Sequence, residues 1–151
     1  LWFFNSGPLA GASQPHRHIQ LLRRDPLELS CPREKWILDI NNVNFKNQRF
    51  CKNIILKKFS KTLNEENIHE IYKELSYKLD LGEPKVDKKP RYPYNLIFTN
   101  NWMLLIKRRT DNLYGISVNA LGFAGYILVT EESDINYLKK FGPEKLLENF
   151  L

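Results

Sequence analysis

Two neighbouring apolar runs set the strongest limit on what this chain can fold into. Residues 94–99 and 102–107 are rich in aromatic and branched side chains, and Asn100-Asn101 separates them. Runs of this kind joined by a turn-forming pair read as a β-hairpin. Leu96, Phe98, Met103 and Leu105 then share one buried face. An antiparallel hairpin with a buried face needs further strands beside it and something packed on it.

The clearest packing partner lies upstream. Ile68, Ile71, Tyr72, Leu75 and Leu79 recur at helical spacing, which predicts a helix over residues 64–80. Thr62 with Glu65 forms a possible capping box, Asn64 is an alternative cap, and Leu81-Gly82 with Pro84 ends the helix. His69 points about 100° away from Ile68 on an ideal helix, so it reads as an exposed or rim residue. Residues 1–5 are aromatic and read as a strand, and residues 15–22 as a second one antiparallel to it. Residues 36–40 and 50–59 read as further short strands, with Asn41, Asn42 and Asn44 favouring a turn. Residues 131–140 read as a helix with Thr130 as its cap, and Gly142-Pro143 opens a last helix. The glycines of residues 115–125 favour close packing. The fold class is therefore α+β, an antiparallel sheet with helices packed on one face.

Length and charge narrow the partners. A chain of 151 residues buries one core. A net charge of +6 suits anionic ligands such as nucleotides. Lys52, Lys57 and Lys58, and again Lys85, Lys88 and Lys89, read as solvated faces, and no nucleic-acid motif accompanies them. No apolar run is long enough for a membrane helix, so neither nucleic acid nor membrane is an expected partner. Cys31 and Cys51 lack metal-ligand spacing, and the chain needs no disulfide, which fits a reduced, cytoplasmic setting.

The chemistry concentrates in residues 5–20. Asn5-Ser6-Gly7-Pro8 is turn chemistry, and Gly11-Ala12-Ser13 is small enough to bring backbone amides against a bound anion. His16, His18 and Gln20 are spaced by two, so an extended backbone sets them in one row, with Arg17, Ile19 and Leu21 on the other face. A neutral imidazole avoids the repulsion that phosphoryl oxygens impose on anionic nucleophiles. A bare pair of histidines on a strand also occurs as ordinary surface or core residues. Arg23-Arg24 and Lys107-Arg108-Arg109 read either as solvated strand ends or as contacts to a polyphosphate.

Asn5-Ser6-Gly7 followed by Gly11-Ala12-Ser13-Gln14-Pro15-His16-Arg17-His18-Ile19-Gln20 resembles the active-site strand of the histidine-triad superfamily. It resembles the branch in which glutamine replaces the third histidine. That branch holds galactose-1-phosphate uridylyltransferase and the diadenosine tetraphosphate phosphorylases, or ATP adenylyltransferases. Residues 93–104 and 116–125 are similar to the carboxy-terminal segment of the phosphorylases. The resemblance implies a partial histidine-triad-like fold, with residues 1–92 as the catalytic segment and residues 93–151 packed with it as one domain. The Leu1 start and the early motif suggest a carboxy-terminal half whose upstream half is missing.

The resemblance also implies roles. His18 is the nucleophile, His16 orients it, and Gln20 bonds phosphate oxygens. In this superfamily the nucleophile's other ring nitrogen bonds a nearby backbone carbonyl. Asn5, Ser6, Gly7, Ser13 and Gln14 bind substrate, and Asn119 lies near it without an assigned role. The implied reaction is phosphorolysis of diadenosine tetraphosphate to ATP and ADP, or its reverse, through an adenylyl-His18 intermediate. Glutamine at the third position cannot protonate a leaving group, which suits transfer better than hydrolysis. The implied partners are diadenosine polyphosphates, ATP, ADP and phosphate, with a divalent cation such as magnesium. A hexose-1-phosphate nucleotidyltransferase and an inactive nucleotide-binding fragment are the alternatives. An open sheet edge leaves room for self-association.

Overall fold

The expected hairpin forms the middle of the sheet. In the computed structural model, β4 (Tyr94–Phe98) and β5 (Trp102–Lys107) pair antiparallel, Tyr94 opposite Lys107 and Phe98 opposite Met103. The structure describes residues 1–23, 29–40, 48–59, 65–83 and 85–151. Three more strands extend the hairpin: β1 (Trp2–Asn5), β2 (Gln20–Leu21) and β3 (Ile54–Lys58). Their order across the sheet is β2-β1-β4-β5-β3, and every neighbouring pair is antiparallel.

Every residue of β4 is buried, so both faces of the sheet are covered. On one face Phe3, Leu56, Ile97, Leu104 and Ile106 meet side chains from four helices. These are α1 (Glu34–Asp39), α2 (Gln48–Asn53), α4 (Ala120–Ala124) and α5 (Ile135–Asn149). Ile37, Phe50, Phe123, Leu146 and Leu147 are their main contributions. On the other face Phe4, Leu96, Phe98, Met103 and Leu105 pack against Leu75 of α3 (Glu65–Lys78) and against Leu79. Most helices thus share one face, as expected, and α3 corrects the picture by covering part of the opposite one. A hairpin that is apolar on both faces requires this.

Three other expectations change. Residues 36–40 lie largely in the helix α1, not in a strand. A short apolar run carries no period that separates strand from helix, and packing decides. Trp36 stands edge-on to Phe50 with ring centroids 5.0 Å apart, and the Arg33 guanidinium covers the Trp36 ring at 4.1 Å. Residues 50–59 divide between α2 and β3 at Asn53. The strand expected over residues 15–22 shrinks to Gln20–Leu21, whose ladder partners are Phe3 and Trp2. Finally, α5 is two helical stretches joined across Gly142, whose φ of 79° breaks the helix where Pro143 restarts it. Its start is capped by Asp134, which accepts from the Tyr137 N–H at 2.8 Å, rather than by Thr130. Arg24, the turn residues Asn41, Asn42 and Asn44, the caps Thr62 and Asn64, and Pro84 lie outside the described residues.

Candidate active site

The loop after β1 is built to hold one shape. The Gly7 carbonyl accepts from the amides of Ala10 at 2.9 Å and Ala12 at 3.1 Å, and a 3-10 turn spans Pro8–Ala10. Gly11 follows with φ of 80°, a conformation that favours glycine. A Cβ there would sit 2.8 Å from the Asn119 Cβ, so the loop lies directly on the start of α4. Asn119 caps that helix by accepting from the Leu121 N–H at 2.9 Å.

Asn5 and Ser6 fasten this loop to the sheet. The Asn5 Oδ1 accepts from Asn95 Nδ2 at 2.7 Å and from the Ala120 N–H at 2.9 Å. The Ser6 Oγ accepts from the Tyr94 N–H at 2.8 Å, which leaves the hydroxyl proton available to an anion. A groove of about 410 Å³ opens above them. Asn5, Ser6, Gly7, Gln14, His16 and Arg17 line one part of it, and Lys89 and Arg91 line another.

The imidazoles lie on the exposed segment that leads into β2. Nδ1 of His18 lies 3.2 Å from the His16 carbonyl oxygen, and the two rings are 5.1 Å apart, centroid to centroid. A carbonyl only accepts, so Nδ1 is the donor in this contact, and Nε2 is the ring nitrogen left on the far side from it. His18 borders a second cavity of about 380 Å³, shared with Phe4, Ile19, His69, Tyr72 and Phe98. Arg17 borders both cavities. The structure therefore brings Asn5, Ser6, Gly7, Gln14 and His16 into one groove and places His18 in the adjoining one. Ser13 is exposed, and Gln20 is half-buried within β2. Neither lines these cavities, and Asn119 lies beneath the loop.

Two residues behind this site carry parts that the sequence did not reveal. Arg108 is only 2% exposed, so it is neither a solvated strand end nor a phosphate contact. Its Nη1 donates to the Asn95 Oδ1, and its Nη2 to the carbonyls of Thr110 at 2.7 Å and Val118 at 2.8 Å. The rings of Phe123 and Phe150 each lie 5.1 Å from the guanidinium carbon. Burial pulls the Arg108 pKa down to about 10, opposed by the charge of Asp111, so it stays a cation at neutral pH. Asn95 pairs with Asn5 across the ladder and is fully buried. A lone asparagine inside the apolar run Tyr94-Asn95-Leu96-Ile97-Phe98 was the available signal.

Among the described residues no group of three or more His, Cys, Asp or Glu could hold a metal ion. No helix among them is long and apolar enough to cross a membrane.

Comparison with known proteins adds the family. The Ap4A phosphorylase N-terminal domain matches residues 1–40, and the ATP adenylyltransferase C-terminal domain matches residues 31–150. No curated protein sequence matches significantly. Among solved structures, yeast Ap4A phosphorylase Apa2 superposes with a TM-score of 0.64 at 16% identity, over 99% of this chain and 53% of that one. Apa2 in complex with Ap4A gives 0.62 at 16% identity, over 99% and 52%. At that identity the likeness shows a shared fold, and the chain spans about half the length of these structures. With 120 of its residues under one family model, counted from 31 through 150, the chain belongs to the ATP adenylyltransferase C-terminal domain family.

Proposed function

We propose that the chain carries the adenylyl-transfer chemistry of a cytoplasmic diadenosine tetraphosphate phosphorylase. The Nε2 of His18 attacks the α-phosphorus of the dinucleotide. The bond from that phosphorus to the bridging oxygen breaks, and ATP leaves with the electron pair. The product is adenylyl-His18. Inorganic phosphate then attacks the same phosphorus, the N–P bond breaks, and ADP leaves with His18 restored. The reverse sequence joins the nucleotides again. A divalent cation such as magnesium, carried by the polyphosphate, would lower its negative charge in both steps.

The observation that carries this reading is the His18 Nδ1 contact to the His16 carbonyl at 3.2 Å. It aims a neutral nitrogen nucleophile away from the backbone. The groove beside it supplies the polyphosphate's surroundings. Asn5, Ser6, Gly7 and Gln14 offer hydrogen-bond groups, and Arg17, Lys89 and Arg91 offer positive charge. Ser13 and Gln20 lie outside this lining and would meet the substrate only from the adjoining segment, while Asn119 acts through the loop it supports. Residues 1–92 carry the nucleophile, and residues 93–151 complete the same unit. The family assignment, together with the fold shared with Apa2 in complex with Ap4A, favours this substrate over a sugar phosphate.

The test is intact mass of the chain after mixing with diadenosine tetraphosphate in phosphate-free buffer, beside His18→Ala. An added AMP on the parent alone is the expected result. An adduct on both overturns His18 as nucleophile. No adduct on either, nor on a chain extended upstream, overturns the reaction.

A further inference from the structure

A guanidinium can only donate hydrogen bonds. Because Arg108 Nη1 occupies the Asn95 Oδ1, Asn95 must turn its Nδ2 the other way. That Nδ2 meets two acceptors, Asn5 Oδ1 at 2.7 Å and the Ala10 carbonyl at 2.8 Å. The Asn5 Oδ1 takes a second bond from the Ala120 N–H at 2.9 Å. A reversed Asn5 amide would set its own N–H bonds against two other donors, so only one orientation fits. Asn5 lines the groove, and with its Oδ1 taken by those two donors its Nδ2 is the end of the amide left for a ligand.

We infer that Arg108 and Asn95 form a polarity relay that fixes Asn5 with its donors outward, making the groove selective for phosphate oxygens. Arg108 and Asn95 are positioning residues here, acting through Asn5. The inference rests on the groove being the phosphate site proposed above. It explains why a cation 2% exposed is held by the neutral oxygens of Asn95, Thr110 and Val118. Burying a charge on neutral acceptors is costly. A donor-only group is also the surest way to set the sense of a chain of amides. Its positive charge lies behind the Asn5 donors and adds to their attraction for an anion.

Side-chain amide hydrogen exchange, read by NMR on the 151-residue chain, tests the relay directly. In the parent the Asn95 Nδ2 protons exchange slowly and those of Asn5 fast. Asn95→Asp keeps an acceptor for Arg108 but turns an oxygen toward Asn5. Asn5 then reverses, and its Nδ2 protons become protected. Calorimetric titration with inorganic tripolyphosphate, well below the melting temperature, tests the consequence. Asn95→Asp weakens binding about tenfold or more, the factor expected for losing charge-assisted bonds. Asn5→Asp, which keeps the inward acceptor, weakens it similarly while the protein stays folded.

Fast Asn5 exchange or unchanged affinity in folded Asn95→Asp overturns the relay. If Asn95→Asp does not fold, the parent decides, because protected Asn5 protons there overturn the relay on their own. Unchanged affinity in Asn5→Asp, or no tripolyphosphate binding by the parent, overturns the groove reading instead. The exchange pattern judges the relay separately.

Discussion

The β4–β5 hairpin and the segment from Ser13 to Ile19 are opposites. In the hairpin strands every residue except Lys107 is buried, and each residue has a ladder partner on a fixed register. In the segment six of seven residues are exposed, His18 being half-buried, and regular structure begins only at Gln20. The hairpin gains its shape from burial. The segment gains it from its two ends, the Gly7–Gly11 turn and the short β2 pairing. Groups proposed to meet a polyphosphate need to be reachable, and reachable groups sit where packing cannot hold them. Buried residues hold the loop that precedes the segment instead: Asn95, itself held by Arg108, bonds Asn5 and the Ala10 carbonyl.

The contrast breaks most sharply at Leu104, which is fully buried. Leu104→Ala costs about 2–5 kcal/mol of stability in chemical denaturation, from lost burial and the cavity left behind. Ile19→Ala, at a residue 57% exposed, stays within about 0.5 kcal/mol. Equal costs would show that the segment packs in solution as the hairpin does. His18→Ala runs the other way, leaving stability nearly unchanged while removing the adenylyl adduct.

Smaller effects sharpen the contrast at the turn. Gly11→Ala forces an L residue to φ of 80° and drives its Cβ to 2.8 Å from that of Asn119. We expect a loss of about 1–3 kcal/mol, seen as a lower melting temperature. Asn119→Ala removes only the cap on the Leu121 N–H and costs about 1 kcal/mol. If Asn119→Ala proves the more damaging, the loop is held by the helix cap and not by the close glycine contact.

The same contrast explains what the sequence made legible. The hairpin announces itself as two continuous apolar runs around a turn-forming pair, and α3 because one buried face writes a period of 3.6 into its residues. α1 does not, because Trp36-Ile37-Leu38 is too short to show a period, and contacts with Phe50 and Arg33 settle it. The spacing of His16, His18 and Gln20 was legible, but their extended row was not. A strand needs a partner, and β1 supplies one only opposite Gln20 and Leu21. Arg108 was hidden by its neighbours Lys107 and Arg109, since a run of three cations resembles a solvated edge. Its burial depends on acceptors from Asn95, Thr110 and Val118. The carbonyls of Thr110 and Val118 come from residues close to Arg108 in sequence, whereas Asn95 is brought beside it by the hairpin.

The smallest expected effect concerns pH and lies wholly on the buried side. Cys31 is buried in the helical face of the core, its thiol directed at the Ala124 carbonyl 3.6 Å away. Burial, with the nearby charge of Glu34, pushes the thiol from an ordinary value near 9 up to about 12. The native state therefore keeps its proton between those values while the unfolded chain loses it. More protons on the native side means that stability is full below pH 9 and falls as pH rises toward 12. At pH 9.5 the loss is under about 1 kcal/mol, so it shows as a slope in denaturation midpoints and not as unfolding. Cys31→Ala lowers stability at every pH but flattens that slope. The comparison must be of slopes, because the cavity left by the thiol shifts all points together. A slope that survives in Cys31→Ala would assign the alkaline sensitivity to another group, and the buried thiol would then not be the scaffold's own pH reporter.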